Sequence, residues 1–231
     1  MTHRNTFDVP NINRQTGAGT RNLGRSKTDA LSEMALDVNP GLRLKIYAEG
    51  ISAANIAAFL KGADLYVEGL DFFAFDARAM VFAECAKRDI PAITVAPLGM
   101  GAALLNFLPG HITFEEYFGW AGCSEHEMAL RFLIGLSPAR LHSAYLVDPA
   151  AIDLKARRGP STGMACALCA GIAGTEALKI LLKRGGVSTA PHGMHFDAYR
   201  NTMARTWRPW GNRNPLQRLV LAIARRQMGD L

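Results

Sequence analysis

The 231-residue sequence has few cysteines and no apolar leader. Its four cysteines are too few and too scattered for the disulfide framework of a small secreted protein; they are Cys85, Cys123, Cys166 and Cys169. The first 30 residues contain five basic side chains and no apolar run, so we expect no signal peptide. Both observations predict a cytoplasmic location.

A long uninterrupted apolar segment is also missing. Residues 90–114 lack any charged side chain for 25 positions, which is long enough to cross a bilayer. Three prolines and three glycines interrupt the segment, which favours a buried strand followed by a loop. We therefore predict no transmembrane segment there.

Net charge is missing from most of the chain. Residues 200–231 hold seven of the 26 basic residues and one of the 20 acidic ones, so the formal charge of +6 lies in this tail. Residues 1–199 have 19 of each sign, which disfavours a general nucleic-acid binder. With 49% hydrophobic and 20% charged residues, the sequence is typical of a globular domain with a substantial core.

Hydrophobic periodicity predicts alternating strands and helices. Helical spacing covers residues 26–38, 52–60, 76–88, 125–134, 161–183 and 216–228, and strand patterns cover 42–48, 63–67, 90–96 and 195–199. This alternation predicts an α/β, Rossmann-like, doubly wound and mostly parallel sheet with helices on both faces. We place the sheet domain in residues 1–199 and an Arg-rich tail with a basic amphipathic helix in 200–231.

Several smaller patterns favour structure over chemistry. Gly99 and Gly101 predict a tight turn after a strand. Cys166 and Cys169 form a single CxxC inside an apolar helix, which favours buried thiols over a zinc site. His192, His195 and Asp197 make a weak candidate metal cluster.

One polar constellation is not explained by packing. Lys27 lies in the first turn of a predicted helix, where a cation opposes the helix dipole. Asp71 follows the strand 63–67 at its carboxyl end, where doubly wound sheets bind ligands. With Arg14, these residues could hold a nucleoside triphosphate and its Mg²⁺, because Arg and Lys bind phosphate and Asp binds the metal. The alternative is two surface cations and a turn carboxylate.

At these positions the sequence resembles the ThiF/HesA/MoeB family of ATP-dependent adenylyltransferases, relatives of ubiquitin-activating enzymes. Residues 11–15 resemble the signature N-L-x-R-Q, residues 24–27 resemble G-x-x-K, and Asn39 and Pro40 resemble the N-P that ends the same helix. Residues 64–71 resemble a strand-to-aspartate motif, and Glu176 and Lys179 match the long helix near the C-terminal end.

The resemblance implies a role for each matching residue. Asn11, Arg14 and Lys27 would contact ATP, Gln15 would support them, and Asp71 would bind Mg²⁺. The activity implied is adenylation of the C-terminal carboxylate of a ubiquitin-like or sulfur-carrier protein, in a homo-oligomer or in a heterodimer with a homologue. Some members pass the acyl group to a cysteine, for which Cys123 is the candidate.

The resemblance also implies a glycine-rich loop before Phe7, where the sequence has six residues, and a ribose-binding carboxylate at the position of His3. We therefore expect the first β–α–β unit of the domain to be missing. Two further hypotheses remain open. One is an inactive family member that acts as a binding or dimerisation subunit, and the other is a protein that binds an anionic surface through its Arg-rich tail.

Overall fold

The computed structural model describes residues 6–145, 159 and 161–228. The helices are α1 (Lys27–Val38), α2 (Ile56–Phe59), α3 (Phe75–Lys87), α4 (Phe114–Phe118), α5 (Glu125–Leu136), α6 (Gly163–Leu182) and α7 (Pro215–Met228). The strands are β1 (Tyr66–Val67), β2 (Ala92–Leu98), β3 (Gly101–Phe107), β4 (His192–Asp197) and β5 (Thr202–Trp207).

The five described strands form one sheet in the order β1-β2-β3-β4-β5. Helix α3 connects β1 to β2, and these two strands are parallel. The other three pairs are antiparallel, which corrects the expectation of a mostly parallel sheet. The α/β Rossmann-like class is confirmed, with a mixed sheet. For two of these pairs the reason is a short connection, because only Gly99 and Met100 separate β2 from β3 and four residues separate β4 from β5, whereas a parallel crossover needs a dozen residues or more.

Helix starts agree best with the sequence analysis. Ser26 and Ser124 cap α1 and α5 by accepting hydrogen bonds from the backbone N–H groups of Asp29 and Glu127, both at 3.3 Å. The predicted start of α6 at Ser161 is shifted, since Thr162 is the residue whose side chain caps this helix.

The predicted strand at residues 42–48 is wrong. This segment has no regular structure, and its apolar side chains Leu42, Leu44 and Ile46 are exposed. Alternation alone does not make a strand, because a strand also needs a neighbour to accept its backbone hydrogen bonds. The predicted helix at 52–60 is reduced to α2, which covers four residues.

The two faces of the sheet are covered by different helices. On one face, Leu105 and Phe107 of β3 join an aromatic cluster formed with α3, α4 and α5. Its rings belong to Phe75, Phe82, Phe114, Phe118, Trp120 and Phe132. On the other face, Asn106 donates to the buried carboxylate of Glu176 in α6 at 2.8 Å. The uncharged segment 90–114 is therefore the hairpin at the centre of the core, as expected for a buried strand.

Among the described residues, α6 is the one helix long and apolar enough to cross a membrane by length and composition. That is weak evidence, and here the helix lies against β2 and β3. Its sheet-facing side includes Ala165 and Cys169, both buried, while Met164, Leu178 and Leu182 are exposed. The outward face of α6 is thus an apolar surface that no other described element covers.

The Arg-rich tail contains regular structure. Strand β5 pairs with β4 along six positions, from His192 opposite Trp207 to Asp197 opposite Thr202. Helix α7 packs Leu221 against Leu130 and Ile134 of α5. The basic amphipathic helix is confirmed, and the division of the chain at residue 199 stays a prediction.

Candidate functional site

The segment that precedes α1 is held by its own backbone and by one buried ring. The N–H of Phe7 donates to the carbonyl of Arg25 at 3.0 Å, and its carbonyl accepts from Gly24 at 2.8 Å. The Phe7 ring is buried and lies beneath the ammonium group of Lys27, 5.8 Å from its centroid. These contacts fix the path of residues 6–24 against the start of α1.

A short 3₁₀ turn at Val9–Asn11 positions the signature residues. Asp8 and Asn11 cap this turn reciprocally: Asp8 Oδ1 accepts from Val9 at 2.7 Å, and Asn11 Oδ1 accepts from Asp8 at 3.1 Å. The backbone N–H groups of Arg14 and Gln15 then donate to the Asn11 carbonyl. Asn11 therefore already has a structural partner for its amide oxygen, and its amide nitrogen remains as a donor for a ligand.

Arg14 is half-buried and is oriented by its neighbours. One guanidinium nitrogen donates to the Pro10 carbonyl at 2.6 Å and to Asn13 Oδ1 at 3.0 Å. Both contacts use Nη1, which leaves the other guanidinium nitrogens for a phosphate. Gln15 is half-buried beside it.

Asp71 lies in the loop that connects β1 to α3. Its carboxylate accepts a hydrogen bond from the N–H of Phe73 at 3.0 Å and is otherwise exposed. Arg78 of α3 donates to the Asp71 carbonyl at 2.9 Å and to the Phe72 carbonyl at 2.9 Å, and it pairs with Glu68. Arg78 is thus a positioning residue for the loop, and its donors are not available to a ligand.

The structure brings Lys27 into the electrostatic neighbourhood of Arg14 and Asp71. Partial burial lowers the pKa of Lys27 from its ordinary value, and the positive charge of Arg14 lowers it further. The carboxylates of Asp71 and Asp8 act in the opposite direction, with smaller effect. Burial and the charge of Arg14 therefore outweigh the two carboxylates at Lys27, a balance that an anionic ligand would improve.

These groups fit a nucleoside triphosphate with Mg²⁺. Magnesium is bound in proteins through one or two carboxylates together with substrate phosphates, and Asp71 offers one exposed carboxylate. Within the described ranges, no group of three or more His, Cys, Asp or Glu side chains could hold a metal by itself. The roles of Asn11, Arg14, Gln15, Lys27 and Asp71 in binding remain predictions.

Sequence reasoning missed two features of this surface. Asp8 contributes to the field at Lys27, although no motif marks it. The side chain of Asn13 reaches the Ser161 carbonyl at 3.5 Å, and a Cβ at Gly163 would lie 2.6 Å from the Asn13 carbonyl oxygen. The start of α6 therefore packs against the signature segment. Contacts across about 150 positions leave no local signal in a sequence.

The candidate metal cluster at the other end of the chain is a hydrogen-bonded core. His195 is buried and its Nδ1 lies 2.8 Å from Ser137 Oγ, while Asp197 accepts from the Tyr145 hydroxyl. His192 is exposed and stacks on Trp207. Burial lowers the pKa of His195 to about 4, so the ring is neutral at physiological pH.

All four thiols are free. Burial raises the pKa of Cys85 and of Cys169 to about 12, which makes both unreactive at neutral pH. Cys123 is half-buried and its Sγ lies 3.5 Å from the Gly119 carbonyl oxygen. Its role as an acyl acceptor stays a prediction, and His3 lies outside the described residues.

Comparison with known proteins identifies the family. The family model described as ThiF family matches residues 2–219, which is nearly the whole chain. The chain belongs to the ThiF family. The predicted membership of this family is thereby confirmed, and the correspondence of residues 11–15, 24–27 and 64–71 to its motifs stays a prediction.

A curated relative is the tRNA threonylcarbamoyladenosine dehydratase of Haemophilus influenzae, which is 32% identical over 92 residues. The match covers 39% of this chain and 34% of that protein, so the chain spans about a third of the relative's length.

Solved structures share the fold. The crystal structure of PaaA superposes with a TM-score of 0.60 at 14% identity, over 88% of this chain and 62% of that one. Escherichia coli MccB crystallised with ATP gives a TM-score of 0.58 at 15% identity, over 87% of this chain and 53% of that one. At these identities the likeness shows the fold and leaves substrate and activity to be argued from the site.

Proposed function

We propose that this ThiF-family chain activates a carboxylate by transferring AMP to it from ATP. The observation that supports the proposal is the electrostatic proximity of Lys27 to Arg14 and Asp71, which brings two cations and one exposed carboxylate into one neighbourhood. This is the charge pattern that a triphosphate with Mg²⁺ requires.

The reaction is a nucleophilic substitution at phosphorus. A carboxylate oxygen of the substrate attacks the α-phosphorus of ATP, the bond to the β-phosphate oxygen breaks, and an acyl adenylate and pyrophosphate are formed. Arg14 and Lys27 would neutralise charge that grows on the phosphate oxygens in the transition state. Magnesium, when bound, would shield the triphosphate, and Asp71 would hold it.

Calorimetric titration with MgATP tests the binding step. The wild-type chain should bind MgATP, and Asp71→Asn should lower the affinity at least tenfold, by about 1.4 kcal/mol or more. Because the carboxylate of Asp71 accepts one backbone hydrogen bond that an amide oxygen can also accept, the fold should survive the change.

Asp76→Asn is the matched control, because Asp76 is an exposed carboxylate five residues away in the first turn of α3. It should leave the affinity unchanged within about twofold, since it removes the same charge from outside the site. Equal losses in the two variants would show that long-range charge, and not a site at Asp71, attracts the nucleotide.

The identity of the carboxylate has two candidates. One is the C-terminus of a ubiquitin-like or sulfur-carrier protein. The other is a modified nucleoside in tRNA, suggested by the name of the relative, because a threonyl group has a free carboxylate and adenylation followed by internal displacement amounts to a dehydration. Pyrophosphate exchange that depends on adding a carrier protein or a tRNA would separate the two.

A non-catalytic binding subunit is the second candidate function. It is favoured by the exposed apolar side of α6, with Met164, Leu178 and Leu182, because a family dimer or heterodimer would cover such a surface. This hypothesis expects a dimer in sedimentation equilibrium and no binding of MgATP. Binding of MgATP by the 231-residue chain would decide against it.

A further inference from the structure

An arginine-lined cleft lies between α5, α7 and the turn at residues 211–213, and the proposed ATP site does not use it. The cleft has a volume of about 630 Å³, within the range of ligand-binding sites. Its lining includes four arginines and, in the described part of the chain, no carboxylate; they are Arg131, Arg213, Arg218 and Arg225.

The positive charge of the cleft is only partly compensated. Glu127 pairs with two of the arginines, since its carboxylate lies 2.6 Å from Arg131 Nε and 2.9 Å from Arg225 Nε. These hydrogen bonds lower the pKa of Glu127 to about 2. Arg213 and Arg218 form no ion pair among the described residues, although Arg213 donates to the Glu116 carbonyl at 3.4 Å and interacts electrostatically with the Glu116 carboxylate. The cleft therefore has two guanidinium groups that no direct ion pair among the described residues neutralises.

An exposed apolar stripe lies along α7 beside the cleft. Leu216, Leu219 and Ile223 are 63%, 59% and 45% exposed, and their spacing places them on one face of the helix. The opposite face packs Leu221 against α5, so the orientation of α7 is fixed by the core. The stripe points outward because the other side of the helix is occupied.

We propose that α7 and the arginine-lined cleft form a docking surface for an anionic phospholipid membrane. The arginines would bind lipid phosphates, and Leu216, Leu219 and Ile223 would enter the boundary between headgroups and acyl chains. A helix with an apolar face and flanking arginines lies in the plane of such an interface.

Charge and apolar surface together select this partner. RNA phosphates would account for the arginines but would leave the three apolar side chains in water. A second copy of this chain would cover the apolar stripe but would bring the same positive charge, since residues 213–228 contain four arginines and no acid. An anionic membrane provides negative charge at its surface and an apolar interior for the three side chains.

Co-sedimentation with vesicles tests the proposal with the full 231-residue chain. It should bind vesicles of phosphatidylcholine mixed with phosphatidylglycerol, should not bind phosphatidylcholine alone, and should bind less as salt is raised. Arg213→Glu combined with Arg218→Glu should weaken binding about tenfold or more. Leu219→Gln combined with Ile223→Gln should weaken it about tenfold at constant charge.

Arg43→Glu combined with Arg184→Glu is the charge-matched control, because both arginines are exposed and lie outside the cleft. This control should keep wild-type binding within about twofold. Circular dichroism checks that each variant is folded. If the α7 variants fail to fold, the lipid-charge and salt dependence of the wild-type chain remain the test.

Four outcomes would overturn the proposal. Equal binding to both kinds of vesicle would show adhesion without charge recognition, and no binding to either would exclude the docking surface. Tight binding to single-stranded poly(U) that the Leu219 and Ile223 changes do not affect, without vesicle binding, would assign the cleft to RNA. Self-association that these changes abolish would assign the stripe to a second copy.

Discussion

The loop between β1 and α3 has a buried side and an exposed side, and their charged groups behave differently. Glu68 and Arg78 pair with each other with side chains only 5% and 2% exposed, and Arg78 also lies 4.3 Å from the centroid of the Phe132 ring. Three residues after Glu68, the carboxylate of Asp71 is exposed and interacts electrostatically with Lys27, as Arg14 does.

This comparison separates the charged side chains that hold the loop in place from those that are free to contact a ligand. Arg78 donates to two carbonyls of the loop at 2.9 Å in addition to its ion pair, so its hydrogen-bonding capacity is used within the protein. In contrast, burial and the charge of Arg14 lower the pKa of Lys27, and the carboxylates of Asp71 and Asp8 offset this effect only in part. We therefore expect charge on the buried side to support stability and charge on the exposed side to take part in binding.

The largest effect is expected on the buried side. Arg78→Met should lower the free energy of unfolding by about 3–5 kcal/mol, because it leaves the Glu68 carboxylate buried without its partner. Urea denaturation measures this change. Arg88→Met is the control on the same helix, since Arg88 pairs with Glu84 at 2.6 Å near the surface and should cost about 1 kcal/mol or less. Similar losses of unfolding free energy in the two variants would contradict the expected difference between a buried and a surface ion pair.

A smaller effect is expected from the buried histidine. His195 has a pKa of about 4, lowered by burial and by the nearby ring of His142, whereas an unfolded histidine titrates near pH 6.5. The unfolded state therefore binds more protons between these values, and the free energy of unfolding should fall as the pH is lowered from 6.5 to 4, on the order of 2 kcal/mol.

Chemical denaturation across this pH range measures the slope. His195→Gln should flatten it in part, because burial also lowers the pKa of the neighbouring His142. His126→Gln, which changes an exposed histidine in the first turn of α5, should leave the slope as it is. A wild-type curve without any slope between pH 6.5 and 4 would show that His195 is accessible to protons in the folded state.

On the exposed side, a substitution should weaken MgATP binding and leave the free energy of unfolding nearly unchanged. Lys27→Ala should lower MgATP affinity about tenfold, because a charge-assisted contact to phosphate is lost. Its effect on the free energy of unfolding should be within about 0.5 kcal/mol, since removing a cation from the start of α1 relieves an unfavourable dipole interaction. Lys61→Ala, at an exposed lysine outside the site, should change neither quantity. A large loss of stability in Lys27→Ala would assign Lys27 to the buried side.

The smallest effect concerns pH and the charge of Lys27. Burial and Arg14 lower the pKa of Lys27, so the ammonium group loses its proton at a lower pH than a free lysine does. MgATP affinity should therefore decline with rising pH before the ordinary lysine value of 10.5 is reached. Calorimetry at several alkaline pH values detects the decline, and Lys27→Arg should remove it, because arginine stays charged. A decline that persists in Lys27→Arg would have another origin.

The sequence predicted most of the longer helices because their signals are local, whereas α4 was missed and the helix predicted at 52–60 covers only four residues. Helical spacing predicted helices over residues 26–38 and 125–134, and in the structure these helices are capped by Ser26 and Ser124. The tight turn at Gly99 is confirmed, with φ of +61° at that glycine, a conformation that favours glycine. Element type was thus readable wherever neighbours in the chain determine it.

The sheet was predicted less well because strand pairing depends on distant residues. Strand β3 is buried along its whole length, so it lacks the alternation that marks a strand at the surface. The pairing of β4 and β5 was missed as well, since residues 200–231 were taken as a tail. Likewise, the sequence analysis predicted that Arg14, Lys27 and Asp71 share one surface. It did not indicate that Arg78 donates its hydrogen bonds to the loop.

The strand order has a consequence for how the protein folds. Each described strand is hydrogen-bonded to the strands before and after it in the chain, so the sheet can grow from one edge in the order of synthesis. One step differs, because β3 and β4 are separated by α4, α5 and α6. Closing this long loop costs chain entropy before any contact between the two strands repays it. We expect that closure to limit the folding rate, with β1 to β3 formed before it and β5 added after it.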